Sequence, residues 1–185
     1  MLSLANTYEN VSVYMGYDYS DDKVNSELNS LTEKASNSIN FFNGKQKMNT
    51  DFGSLESLTS TDLGVAFLVK IDGLTLYHAG DLFPWGGIGL EFIKYTAPLK
   101  GVHIDYAMLP LDPRFPAEAR GCIYHYLNLA DISYFTPMHL WDKPDFVSTF
   151  AKENPLYCGK MIAQNPQGAN IHQPIELLKP YTIQF

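Results

Sequence analysis

The chain has 185 residues and a formal net charge of −7, with 45% hydrophobic and 14% aromatic residues. This is enough apolar material for the core of one domain and excludes wholesale disorder. The acidic balance argues against nucleic acid or an anionic membrane as partner, since phosphate contacts need Lys and Arg in excess. Two cysteines, Cys122 and Cys158, are too few for a disulfide framework and are read as reduced thiols, with Cys122 in the core. No apolar run reaches membrane-spanning length, and the first residues lack the basic flank of a signal peptide. The expected location is the cytoplasm, with no membrane association.

In chain order, residues 1–6 suggest the last turn of a helix, followed by a short strand over 11–15. From 20 to 47 the composition turns polar. Val24, Leu28 and Leu31 recur at helical spacing behind the cap signal Ser20-Asp21-Asp22, and the helix frays near 36–38. Residues 39–42 read as a short strand and Asn43-Gly44 as a turn. From Phe52 the strand signals sharpen. Residues 65–71 and 74–79 form two apolar strands joined by Asp72-Gly73, a hairpin signature. A helix is expected over 88–99 and a buried strand over 104–109, stopped by Pro110. A second helix opens at Pro116 and runs to about residue 129. Further expectations are a buried strand over 132–136, a helix over 143–153, a strand at 160–163 and a closing strand or strands over 175–185. Near-continuous apolar strands alternating with helices call for an α/β sheet with helices packed on it.

Three of these strand ends deliver polar groups: Gly80-Asp81, Asp112-Pro113-Arg114, and His139-Leu140-Trp141-Asp142. Ends of adjacent strands in a layered α/β fold converge on one rim, where ligands bind. An Asp and a His meeting there make a natural pair of ligands for Zn²⁺ or a similar ion. The blander readings are that Asp81 is a turn residue and that His139 caps a helix or bonds backbone. Asp112 and Arg114 either line the crevice or form a local ion pair. Phe83, Pro84, Trp85 and Trp141 form either the apolar lip of a pocket or ordinary aromatic packing. No Gly-x-Ser-x-Gly elbow is present, and Gly86-Gly87-Ile88-Gly89 lacks the lysine and spacing of a phosphate loop.

Thr59-Ser60-Thr61-Asp62 with the strand pair, His78-Ala79-Gly80-Asp81, the Asp-Pro-Arg turn after Leu109-Pro110-Leu111, and Pro137-Met138-His139 together resemble the second half of metallo-β-lactamase-fold metal-dependent hydrolases. These motifs lie in order within residues 52–150. The resemblance implies a partial αββα metallo-β-lactamase-like sandwich corresponding to its C-terminal half. Residues 1–185 then form a single truncated domain, with an irregular part over 1–51 and the core over 52–185. It further implies that Asp81 matches a metal-bridging carboxylate and His139 the final histidine ligand. His78, Thr61, Asp62, Asp112 and Trp141 would stand behind or around them. Zn²⁺ is the first choice of divalent metal, with Mn or Fe as alternatives. The reaction would be attack of metal-activated water on an ester, amide or phosphodiester-type bond of a small-molecule substrate.

The family's His-x-His-x-Asp-His signature is absent from this sequence, whose five histidines are dispersed. The matched positions supply two ligands where zinc takes three or four protein ligands. The expectation is therefore a chain inactive by itself, with a complementing N-terminal chain supplying the rest. The alternative is a non-catalytic remnant or interaction module that self-associates as a homo-oligomer, or pairs with a separate N-terminal half, through an uncovered sheet face.

Overall fold

The computed structural model describes residues 7, 11–16, 22–62 and 64–161. The elements expected over residues 1–6 and 175–185, and the cap residues Ser20 and Asp21, lie outside the described residues. So do residues 162 and 163 of the strand expected at 160–163. Of that strand the structure shows Met161, bridged in parallel to Phe135.

The Asp72-Gly73 turn folds as expected. Both residues take positive φ, 50° and 82°, the conformation that a tight two-residue hairpin turn demands. It joins strand β5 (Val65–Ile71) to β6 (Leu74–His78) in antiparallel register, with Leu68 opposite Tyr77. On the other side of β5 lies β4 (Gly53–Thr59), and beyond it β3 (Gln46–Thr50) at the edge. β3 was not foreseen. Its sequence, Gln-Lys-Met-Asn-Thr, is polar at every position but one, so no apolar alternation marks it, and polar residues are what an exposed edge strand tolerates. After β6 the chain switches to parallel pairing, through β7 (His103–Pro110) to β8 (Asp131–Met138). The sheet order is β3-β4-β5-β6-β7-β8. Parallel neighbours require crossovers, and the helices α3 (Gly89–Thr96) and α4 (Pro116–Leu129) supply them.

Both helices, with α5 (Phe146–Glu153), cover one face of this sheet. Leu58, Ala66, Tyr77, Ala107 and Phe135 from the strands meet Phe92, Ile123 and Phe150 from the helices. The expected helix over 143–153 begins at Phe146 instead, after a turn in which Phe146 N–H donates to Lys143 O at 3.1 Å. A one-turn helix, α6 (Pro155–Cys158), follows it.

The opposite face is partly covered by a second, two-stranded parallel sheet of β1 (Val13–Gly16) and β2 (Ile39–Phe42). Phe42 and Tyr14 pack there against Leu55, Val65 and Phe67. The single helix expected after residue 20 is two, α1 (Asp22–Asn29) and α2 (Glu33–Ser36). The break falls at Thr32, whose backbone is extended (ψ 157°) and whose hydroxyl accepts from Ala35 N–H at 3.3 Å. A threonine able to cap a new helix competes with continuation of the old one. Among the described residues, no helix is long and apolar enough to cross a membrane.

Candidate metal centre

Three adjacent strand ends reach the same rim because β6, β7 and β8 run parallel. Backbone hydrogen bonds extend the ladder past their ends: Ala79 N–H donates to Met108 O (3.0 Å) and Leu111 N–H to Met138 O (2.9 Å). The loops carrying Asp81, Asp112 and His139 are thereby anchored side by side.

Asp81 follows Gly80, which adopts φ 56°. A Cβ at Gly80 would stand 2.8 Å from the Val65 carbonyl oxygen. Both the left-handed backbone and the close approach require glycine there. The loop beyond is tied at successive residues. Thr61 Oγ1 donates to Phe83 O (2.7 Å) and accepts from Phe83 N–H (3.0 Å). Trp85 Nε1 donates to Asp81 O (3.3 Å). Tyr126 O–H donates to Leu82 O (3.0 Å), which leaves the Tyr77 hydroxyl, 3.3 Å away, as donor to the Tyr126 oxygen. Thr61 thus holds the loop by its backbone, and Asp62 stands at an exposed turn, its N–H donating to Ser60 Oγ.

His139 leaves β8 with φ 61°, and Trp141 two residues later has φ 53°. Positive φ is uncommon for any residue but glycine, although histidine enters the left-handed region more readily than tryptophan does. Such conformations persist only where the surroundings impose them, and they cluster at functional sites. The turn aims His139 Nδ1 at Asp81 Oδ1, 3.1 Å away, with both side chains partly open to solvent. His78 stands at the exposed end of β6, and its Nδ1 accepts from Gly80 N–H at 3.0 Å. Partial desolvation of the ring by its neighbours, then repulsion from His139, lowers its pKa against the pull of Asp81. A neutral His78 with its proton on Nε2 is the form that this hydrogen bond requires.

Asp112 is wholly buried. Its carboxylate takes Arg114 Nε at 3.0 and 3.1 Å, Arg114 Nη2 at 2.6 Å, Arg114 backbone N–H at 2.9 Å and Trp141 Nε1 at 3.2 Å. Burial alone would raise its pKa. The hydrogen bonds from Arg114 and Trp141, with the Arg114 charge, more than offset this and hold it below the ordinary carboxylate value. Asp112 therefore fixes Arg114 and Trp141 instead of facing the crevice. The guanidinium lies 4.1 Å from the Trp141 ring. Burial of Cys122 pushes its thiol pKa well up, as suits a core cysteine.

A carboxylate oxygen and an imidazole nitrogen are the donor types that Zn²⁺ and similar ions accept. Asp81 and His139 therefore fit two ligand positions. Among the described residues no third His, Cys, Asp or Glu completes a set able to hold a metal ion. The left-handed turn at His139 and the loop-anchoring roles of Trp85 and Tyr126 were not read from the sequence. An aromatic side chain that bonds a distant carbonyl carries no local signal.

No family model matches the chain. It is 37% identical over 76 residues to a UPF0173 metal-dependent hydrolase of Thermococcus kodakarensis, a stretch covering 40% of this chain and 30% of that protein. It is 28% identical over 118 residues to a UPF0173 metal-dependent hydrolase of Desulfitobacterium hafniense, covering 60% and 47%. A solved Thermotoga maritima structure assigned to the metallo-β-lactamase superfamily shares 17% identity over 55% of this chain and 49% of its own, with a TM-score of 0.37. A substituted form of CmlA β-hydroxylase shares 8% identity at a TM-score of 0.54, over 81% of this chain and 37% of its own. That likeness shows the fold alone, and the expected α/β, metallo-β-lactamase-like architecture is the one observed. The chain spans less than half the length of the curated relatives it matches, and both of those relatives are metal-dependent hydrolases.

Proposed function

We propose that the chain carries part of the metal centre of a metal-dependent hydrolase of the metallo-β-lactamase superfamily, and that it is inactive unaided. The observation that carries this reading is the Asp81–His139 pair, brought within 3.1 Å from the ends of two parallel strands. Asp81 and His139 are the two ligands contributed here, and zinc is the proposed ion, with manganese or iron as alternatives. When bound, such an ion supplies Lewis acidity toward water and toward an ester, amide or phosphodiester-type substrate. The chain's own residues set the geometry. Gly80 and Thr61 place the Asp81 loop, His78 braces the Gly80 turn, and the left-handed turn presents His139. The remaining one or two ligands come from a complementing N-terminal chain in the cytoplasm.

A direct test is calorimetric titration of the purified chain with Zn²⁺. The expected result is weak binding that is lost in Asp81→Ala and in His139→Ala, with unchanged circular dichroism. Zinc binding equal in wild type and both variants would remove these residues from the site.

A second reading, a self-associating interaction module, has one observation in its favour. On the sheet face opposite the helices, Leu76, Tyr106, Met108 and Tyr134 sit in neighbouring register and are only partly buried. Half-covered aromatic surface of this kind favours association. Light scattering across a concentration series tests it, and a strictly monomeric species at all concentrations would rule against it.

A further inference from the structure

We infer that Arg114 is an oxyanion-binding residue at the rim of the Asp81–His139 site, receiving the phosphate or carboxylate group of an anionic substrate, with Trp141 as its aromatic wall. The inference rests on the proposed hydrolase reading for its biological meaning, but its geometry stands independently.

Four features carry it. First, the Arg114 side chain is 45% exposed although its partner Asp112 is 1% exposed. The cation stands at the surface, locked from below by a buried carboxylate. Second, Asp112 occupies only Nε and Nη2, so the protons of Nη1 have no hydrogen-bond partner among the described residues. A guanidinium held along one edge presents the other edge as a ready donor for an oxyanion. Third, Trp141 is 63% exposed yet held at φ 53°. Its N–H is bound to Asp112, and its ring lies 4.1 Å from the guanidinium carbon. The Trp85 and Phe115 rings stand at 5.8 Å. Aromatic faces around a cation limit its hydration without competing for its protons. Fourth, the pair belongs to the rim of the site. Trp85 donates to the Asp81 carbonyl, Trp141 is two residues beyond His139, and the Asp81 charge is close enough to act on Arg114.

A purely structural cluster would stitch the loop after β7 to the loop after β8 through the Trp141–Asp112 hydrogen bond and do nothing more. It gives no reason for a strained, exposed tryptophan or for an outward donor edge. With Asp81 neutralised by a bound cation, the local field at Arg114 becomes favourable to an anion despite the chain's net charge of −7.

The test uses the full chain, inorganic phosphate and acetate as probes, and tryptophan fluorescence with calorimetry as readouts, in EDTA and again with Zn²⁺. Phosphate should bind in the millimolar range and perturb Trp141 emission, a signal absent in Trp141→Phe. Because Arg114→Gln alone strands a buried carboxylate, the neutral pair Asp112→Asn/Arg114→Gln is used beside Arg114→Lys. The double variant should weaken phosphate by about tenfold or more, and Arg114→Lys by less. Competition by acetate supports a site for either oxyanion; no competition supports one for phosphate. Phosphate bound equally by wild type and the double variant, or not bound at all, overturns the inference. Asp81→Asn separates the two readings. Its phosphate binding in EDTA should equal or exceed that of wild type while any zinc binding disappears. Zinc binding that survives Asp81→Asn counts against the metal-ligand assignment and leaves the inference on Arg114 standing.

Discussion

Replacing Gly80 by alanine tests the geometry that positions Asp81. Two costs add. A non-glycine residue at φ 56° occupies the left-handed region at about 1–2 kcal/mol. The new Cβ also stands 2.8 Å from Val65 O, a distance that must open by several tenths of an ångström. Val65 is paired with Thr59 in the sheet, so the movement falls on the Gly80–Asp81 loop. Together these give about 2–4 kcal/mol, or roughly 4–16 °C in Tm for a chain of this size. Gly101 is the control. It has φ 70°, and nothing lies within 4 Å of a Cβ built there. Gly101→Ala should therefore show the backbone term alone, about 1–2 kcal/mol. Differential scanning calorimetry gives both values, and zinc titration reports whether Asp81 has moved. A Gly80→Ala variant no less stable than Gly101→Ala would refute the claim that close packing against β5 sets the Asp81 loop.

His139→Gly relieves a left-handed backbone worth about 1–3 kcal/mol while removing the Asp81 partner. Chemical denaturation should show stability unchanged or raised as zinc binding is lost, and a large destabilisation would mean that His139 is structural. Thr61→Val leaves the backbone N–H of the buried Phe83 without its partner, while the Phe83 carbonyl keeps Trp85 N–H at 2.9 Å. The expected loss is about 1–3 kcal/mol by urea melts, and a neutral result would show that Thr61 does not hold the loop. For Asp112, a folded-state pKa below the ordinary value means that its stabilising contribution is present at neutral pH and is lost as pH falls through the folded-state pKa. Asp112→Asn should lower the neutral-pH midpoint and flatten the acid side of a stability profile. An acid limb identical to wild type would mean that the ion pair contributes nothing.

The helix expected as one piece after residue 20 shows where local pattern fails. Leu28 and Leu31 keep helical spacing, but Thr32 satisfies a following N–H with its own hydroxyl and turns the chain. Asp112 shows a different limit. Its neighbour Arg114 is visible two residues away, whereas Trp141, 29 residues on, becomes its partner only because β7 and β8 lie side by side. The polar edge strand β3 has no apolar periodicity to read, yet five residue pairs join it to β4.

Local chemistry in the sequence was sufficient for the Asp72-Gly73 hairpin, the buried strands, the crossover helices and the placing of Asp81, Asp112 and His139 at strand ends. Each depends on turn preference or on the burial of a contiguous apolar run, which neighbouring residues determine. Tertiary structure alone decided that the Asp81 and His139 side chains meet at 3.1 Å, that Asp112 turns inward, and that His139 and Trp141 adopt left-handed backbones. These outcomes depend on strand order and on packing between residues far apart in the chain, and local preference opposes the last of them.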